Sequence, residues 1–372
     1  MRAIGIILAG GSSYRMKVLA QNRAVSAMPV AGSYRAIDFA LSNMSNSGIQ
    51  SVLVMTQYNG RSLNEHLSSS KWWDFGRKQG GLKVLTPVIT ADNPNWYRGT
   101  ADAMYQAMWD LKQSHEPYVI IASGDCVYKM DYNKVLDYHI KKKAEITVVC
   151  KEMPEDANLE RYGVIRMDDD HRITEFVEKP VAQSGKQISC GIYVLRRRLL
   201  IELLEQCAEE GRYDFVRDVL VRYKDTKKIY GYKFNEYWSN IASVQDYYDT
   251  NMDFLKKDMR DYFFKTYPDI YTKVEDMAPA KFNAGSKVKN SLIASGCIVN
   301  GNVENSVIFK KVYVGNNVTI KNSIILNDVY IGDNTYIENC IVESRDTIRA
   351  NTTLIGEPGE IKLVMNDNDS HV

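Results

Sequence analysis

At 372 residues, 45% hydrophobic and 25% charged, the chain is long enough for more than one domain and has the composition of an ordinary soluble protein. A formal net charge of +1 gives no global pull toward nucleic acid or a membrane surface. The six cysteines form no CxxC pair and the five histidines stand apart, which argues against zinc or thioredoxin-like chemistry and fits a reducing, cytoplasmic compartment.

The first informative stretch is Arg2–Met16. An apolar run, Ile4 to Ala9, stops at Gly10 and Gly11 and is followed by Ser12, Ser13, Tyr14 and Arg15. Such a run predicts a buried strand feeding a loop. Glycines there let backbone N–H groups approach an anion, and Arg15 offers a planar positive fork to phosphate oxygens. A plain strand-to-helix turn is the alternative. The spacing matches neither GxGxxG nor GxxxxGK[ST]. The run is short for a secretory leader and meets Arg15 and Lys17 at once, and no membrane-length apolar stretch follows.

Strand patterns at Ile4–Leu8, Ser51–Met55, Tyr118–Ala122, Ile146–Lys151, Gly163–Met167, Ile188–Leu195 and Ile229–Phe234 then alternate with helical ones. The helical patterns are Asp38–Ser47, Ser62–Leu67, Ala101–Lys112, Tyr132–Lys142, Leu199–Glu210 and Ser243–Lys257. The alternation predicts a mainly parallel sheet covered on both faces, with ligands beyond the carboxyl ends of its strands. Gly10–Arg15 and the ends of Ser51–Met55 and Tyr118–Ala122 should therefore share one rim. Residues 258–280, broken by Pro268 and Pro279, read as a connector. From residue 281 to 365, β-branched residues recur at six-residue steps: Ile293 and Val299; Val314, Ile320 and Leu326; Ile331 and Ile337. Glycine and asparagine fill the corners. This is the hexapeptide pattern of a β-helix. The five-residue step from Leu326 to Ile331 keeps a small antiparallel β domain open as the alternative. Residues 366–372 read as an acidic tail.

Three segments carry candidate chemistry. Asp125, in Ser123-Gly124-Asp125 at a strand end, is placed to hold Mg²⁺ together with phosphate oxygens, with Lys129, Asp131 and Tyr132 to orient it; a turn aspartate capping the next element is the alternative. Gly99-Thr100 opens a predicted helix whose first amides suit an anion or a base edge; a plain N-cap threonine is the alternative. In Phe176-Val177-Glu178-Lys179-Pro180, Glu178 can accept from hydroxyls and Lys179 can neutralise a phosphate; an ordinary exposed ion pair is the alternative. Lys141–Lys143 and Arg196–Arg198 read as solvated faces.

Taken together, the GG…R loop, YRAIDFALSNMSNSGI (34–49), TQYNGRSLNEHL (56–67), WYRGTADAMYQ (96–106), SGDCVYKMDY (123–132), FVEKP (176–180), SCGIYVL (189–195) and EYW (236–238) follow one order. In that order the chain resembles the glucose-1-phosphate adenylyltransferase (ADP-glucose pyrophosphorylase) family. The resemblance implies an α/β fold: a nucleotidyltransferase domain with a Rossmann-like mixed sheet over residues 1–257, then a left-handed parallel β-helix over 281–365. It implies joining ATP and glucose 1-phosphate into ADP-glucose and pyrophosphate for glycogen biosynthesis, with Mg²⁺ as cofactor. By the same resemblance Leu8, Ala9, Gly10, Gly11, Gly99 and Thr100 would contact nucleotide. Tyr97, Gly163, Glu178, Lys179 and Ser189 would contact the sugar phosphate. Gln57 and Trp96 would link effector and substrate sites, and Arg15 and Asp125 would be catalytic, with Asp125 on the metal.

The departures from that pattern set the functional expectation. The family's GGxGTRL has Ser13 and Tyr14 where it has Gly and Thr, its RAKPA has Val25 in place of lysine, and its YWxDVG has Asn240 in place of the second metal-binding aspartate. Asn22 replaces the effector-binding lysine. Losing a charged donor costs about 1.5–3 kcal/mol and losing metal charge several more, together roughly 10³–10⁴-fold in rate. The expectation is a weakened Mg²⁺ site and a regulatory or weakly catalytic subunit that assembles with a catalytic homologue, as a heterotetramer. An active adenylyltransferase in its own right and a non-catalytic sugar-phosphate-sensing scaffold are the alternatives. Restoring both charges, Asn240→Asp with Val25→Lys, is expected to raise activity.

Overall fold

Ile4, Ile6 and Ile7 are almost wholly enclosed, because the first strand runs through the middle of a sheet with helices on both faces. The computed structural model describes residues 2–11, 13–76, 80–88, 95–154, 159–180, 186–357 and 359–365. Ser12 of the glycine loop and the tail expected over 366–372 lie outside them.

In chain order the first half contains β1 (Ala3–Leu8), α1 (Ala36–Asn46), β2 (Ser51–Met55), α2 (Arg61–Leu67), β3 (Gly81–Leu85), α3 (Thr100–Gln106), α4 (Met108–Gln113), β4 (Tyr118–Ser123), β5 (Cys126–Tyr128) and α5 (Tyr132–Lys141). It continues with β6 (Ile146–Glu152), β7 (Gly163–Met167), β8 (Ile173–Glu178), β9 (Gln187–Arg196), α6 (Arg197–Glu209), β10 (Ile229–Lys233), β11 (Trp238–Asn240), α7 (Val244–Asp253) and α8 (Lys257–Phe264). The main sheet has nine strands in the order β8-β7-β9-β4-β1-β2-β3, with β6 paired to both β9 and β10. The β4-β1-β2-β3 half is parallel, as the alternation of elements predicts. β9 runs antiparallel to β4, β6 and β7, so the sheet is mixed. β5 and β11 form a separate antiparallel pair above the sheet's carboxyl rim.

Several elements differ from the pattern read in the sequence, among them the strands β5, β8 and β11, which were not in the strand pattern. The helix expected over Ala101–Lys112 breaks at Ala107, whose φ of −90° and ψ of 14° end one helix before the next begins. The helix expected through Lys257 stops at Asp253. Phe254 and Phe263 then bury against Phe39, and residues expected to be connector form α8. β3 lacks a periodic pattern long enough to read and pairs in register with β2 at the sheet edge.

The second half is a parallel β-helix of three five-stranded sheets, and it matches the left-handed hexapeptide class expected from the sequence. Tyr313 pairs with Tyr330 and Tyr330 with Thr347, one coil of 17 residues at each step. The inward positions Val314, Ile320, Ile325 and Ile331 advance by six, five and six. The slip read in the sequence is therefore one shortened corner, and Ile325 rather than Leu326 fills the coil. Asn305, Asn322 and Asn339 take the left-handed conformation at successive corners, where asparagine is tolerated. The third sheet, formed by Leu292–Ile293, Val307–Ile308, Ile324–Ile325, Cys340–Val342 and Lys362–Val364, is apolar on both faces in its middle strands. Its inner row includes Ile308, Ile325 and Val342. Its outer row, Val307, Ile324 and Ile341, together with Phe309 and Leu326, packs with Phe39, Phe254 and Phe263 of the first half. Arg23 pairs with Glu343, and the Tyr248 hydroxyl donates to the Asn322 carbonyl at 2.8 Å across the same junction. Among the described residues no helix is long and apolar enough to cross a membrane.

Candidate active site

The register fixes where the functional loops meet. Leu8 lies opposite both Met55 and Ser123, so β1, β2 and β4 end together at the expected rim. The Ala9 amide donates to Met55 O at 2.8 Å and the Gly124 amide to Leu8 O at 2.9 Å. A Cβ on Gly10 would sit 3.3 Å from the Gln57 backbone nitrogen, which explains a residue without a side chain there. The loop is tied across the rim by the Ser13 hydroxyl, which donates to Ala242 O at 2.7 Å. It continues as a 3₁₀ turn, Tyr14–Ala20. Arg15 is exposed; its Nε donates to the Tyr14 hydroxyl at 3.2 Å, and that ring is 82% exposed. Val25 is 5% exposed and joins an apolar cluster with Met16, Leu19, Met28, Val127 and Ile241.

Asp125 follows β4 in the turn to β5. Its Oδ1 accepts from the Ser123 hydroxyl, from Cys126 Sγ at 3.5 Å and from Asn240 Nδ2 at 3.2 Å. Burial pushes the Asp125 carboxyl above the usual carboxylate range, against the downward pull of these hydrogen bonds. The side chains expected to orient it do other work. Lys129 turns away and donates to the carbonyls of Tyr262, Phe263 and Thr266, capping the carboxyl end of α8. Asp131 caps α5 through the Asn133 amide, and Tyr132 is buried against the Tyr128 hydroxyl.

A cleft beside Asp125 brings together Ser123, Gly163, Glu178, Ser189 and Asn240. Gly163 lies opposite Glu178 in the β7–β8 ladder, and a Cβ on it would come within 3.0 Å of Glu178 Oε2 and 2.7 Å of the Phe176 ring. Burial raises the Glu178 carboxyl and the neighbouring Lys179 lowers it. Lys179 is largely exposed, with its Nζ 3.6 Å from Glu178 Oε1. Ser189 and Gly191 flank a bulge in β9. Gly191 has a φ of +69°, its amide donates to the Ser189 hydroxyl at 3.3 Å, and the Ser189 hydroxyl donates to Tyr193 at 3.3 Å. The sequence reading gave no role to Arg161, Tyr162, Tyr193, Cys126, Cys190, Val216 or Trp238, which also line this cleft. Cys126, Cys190, Tyr193 and Trp238 lie inside motifs that carry the resemblance. Tyr162 and Cys190 sit next to assigned residues, and that adjacency was the available signal.

Two other assigned groups lie around the rim. The Tyr97 amide donates to Gln57 Oε1 at 2.7 Å and Gln57 Nε2 donates back to Tyr97 O at 3.3 Å, while Trp96 is exposed. Burial raises the Tyr97 phenol to about 12. At α3 the amides of Ala101 and Asp102 donate to Tyr213 O, and the Thr100 hydroxyl accepts from the Phe215 amide at 2.9 Å. A Cβ on Gly99 would lie 2.4 Å from that Tyr213 oxygen. The helix start is thus closed by its own chain, with these amides already engaged.

The donor set at Asp125 is a poor fit for a Mg²⁺ held between two carboxylates. The second position offers an amide, and that amide donates N–H to the oxygen a cation would need. Reversing it to present oxygen would place two acceptors against each other. Among the described residues no group of three or more His, Cys, Asp or Glu side chains is arranged to hold a metal ion.

Comparison with known proteins adds to this geometry. Residues 4–257 match the family described as nucleotidyl transferase, and residues 278–361 match the GlmU-like C-terminal hexapeptide family. The chain is 40% identical over 320 residues to the glucose-1-phosphate adenylyltransferase of Clostridium acetobutylicum, covering 85% of this chain and 84% of that one. It is 39% identical over 323 residues to that of Bacillus subtilis, with 86% and 84% covered. Against that of Pseudothermotoga lettingae it is 40% identical over 323 residues, with 86% and 76% covered.

Proposed function

The chain belongs to the glucose-1-phosphate adenylyltransferase family, and on that premise we propose that it is a regulatory or weakly catalytic subunit. It would act in ADP-glucose formation for glycogen biosynthesis beside a catalytic homologue. The observation that carries this reading is the hydrogen bond from Asn240 Nδ2 to Asp125 Oδ1, which leaves the reacting end of the cleft with one carboxylate and an amide. Two further features support it. Val25 is buried among apolar side chains, and Arg15 lies on an exposed tyrosine ring.

The sugar end of the cleft is better equipped. Glu178 can accept two sugar hydroxyls, the Ser189 hydroxyl can bond another oxygen, and Lys179 can swing from its loose contact with Glu178 to a phosphate. The chain would thus hold and orient glucose 1-phosphate. It would supply little of the charge that stabilises a pentavalent phosphoryl centre, a deficit of about 4–6 kcal/mol or roughly 10³–10⁴-fold.

The test is to purify the full chain alone and after co-expression with a catalytic homologue, and to assay ADP-glucose formation. The expected result is a mixed oligomer whose turnover or effector response differs from the homologue's, and solo turnover roughly 10³-fold or more below it. Solo turnover within tenfold of the homologue would instead make the chain an independent adenylyltransferase. No mixed oligomer and unchanged partner kinetics would reject the subunit reading.

A further inference from the structure

Asn240 is fixed in place. It lies opposite Cys126 in the β5–β11 ladder, and the Ile241 amide donates to the Asp125 carbonyl at 2.9 Å. Nδ2 spends its hydrogens on Asp125 Oδ1 and Cys126 Sγ, each at 3.2 Å. Two residues on, Ala242 O takes the Ser13 hydroxyl and draws the glycine loop to the same strand end. With Ser123 and Cys126 also donating, Asp125 Oδ1 faces three hydrogens. Mg²⁺ demands near-octahedral oxygen and gives up water reluctantly, so an oxygen already crowded by donors is a weak ligand for it.

We propose that the Asn240 amide stands in for a divalent cation against Asp125, so that this cleft takes a hexose 1-phosphate without metal. The proposal rests on the reading of the chain as a sugar-phosphate-holding subunit and says how its site differs from a two-carboxylate one. A pair of carboxylates this close repels an incoming phosphate until a cation neutralises them. One carboxylate satisfied by fixed hydrogen bonds does not impose that requirement. The hydroxyl-binding groups Glu178 and Ser189 stand on β8 and β9, built by the Gly163 close approach and the Gly191 bulge, and neither uses Asp125 as a partner. Asn240 lines the same cleft, so a neutral amide or a carboxylate at this position acts directly on what enters.

The experiment is calorimetric titration of the full chain with glucose 1-phosphate, once in EDTA and once in Mg²⁺, paired with Mn²⁺ binding by electron paramagnetic resonance. The wild-type chain should bind glucose 1-phosphate with Kd values agreeing within about twofold in the two buffers, and should take up no Mn²⁺ at the cleft. Asn240→Asp should lose about tenfold or more in EDTA, recover with the cation, and bind Mn²⁺. Asn240→Leu, which removes the donor without adding charge, should weaken binding equally in both buffers and keeps the test open if the aspartate variant misfolds. Tenfold tighter wild-type binding in Mg²⁺, Mn²⁺ bound alike by wild type and Asn240→Asp, or no binding in either buffer would each overturn the proposal. All readouts use the chain alone, so failure to assemble with a catalytic homologue would be seen separately.

Discussion

Val25 stands where the resemblance read in the sequence expects a lysine, and its surroundings show what a valine does there. The side chain packs with Met16, Leu19, Met28, Val127 and Ile241, so the site is part of the core. Reintroducing a lysine would bury an ammonium without an ion-pair partner, a change that costs about 3 kcal/mol or more unless the amine escapes or loses its proton. Val25→Lys should therefore lower the urea midpoint of unfolding without raising turnover. A variant as stable as wild type and more active would show that the amine finds its way to the cleft. This revises the sequence expectation for the double restoration, because only its Asn240 half acts on a polar site. The sequence displayed both substitutions by motif position. It did not display that Lys129 faces the carbonyls of α8, because a lysine four residues past an aspartate looks the same whether it turns to that aspartate or to a distant helix end.

The strands were legible because each is a continuous or alternating apolar run bounded by turn residues. β2 and β7 begin and end where the pattern does. Helix ends were less so. α8 is held by three interlocking aromatic rings, Phe39, Phe254 and Phe263, and the two partners of Phe263 come from α1 and from the residue just after α7, which a local pattern does not bring together. α5 shows another contribution set by packing. It docks on β6 through His139, whose Nδ1 shares a 2.8 Å hydrogen bond with Thr147 Oγ1, while its Nε2 has no partner among the described residues. Burial, aided by Arg196, lowers the imidazole from 6.5 to about 4. The folded state thus binds this proton later than the unfolded state as pH falls. Stability from this group is whole above pH 6.5 and is lost between 6.5 and about 4, by at most about 3 kcal/mol. Comparing urea midpoints at pH 7.5 and 4.5, His139→Gln should lose less on acidification than wild type. Equal losses would mean that folding leaves the proton affinity of His139 unchanged.

At the scale of the molecule, the two halves are joined less by the Arg23–Glu343 pair than by the outer row of the third sheet. Val307, Ile324 and Ile341 are fully buried against the first half, whereas the ion pair retains some exposure. Ile324→Asp would place a carboxylate in that seam while leaving the inner row of Ile308, Ile325 and Val342 to hold the coils together. Calorimetry should then resolve two melting transitions where wild type shows one. A single transition at the wild-type temperature would mean that the seam is not what couples them. The hexapeptide period revealed the coils but not this second apolar face, since a six-residue step follows one row of side chains and says nothing of the other residue in pairs such as Val307-Ile308 and Ile324-Ile325.

A solenoid that is oily outside as well as inside along one edge is no interchangeable module. A chimera grafting the coils of another hexapeptide protein onto this sheet would inherit the right pitch and the wrong upholstery. Unless the donor carried the same greasy rib, the grafted coils would leave α7 and α8 uncovered. The two halves of this gene must therefore drift in step.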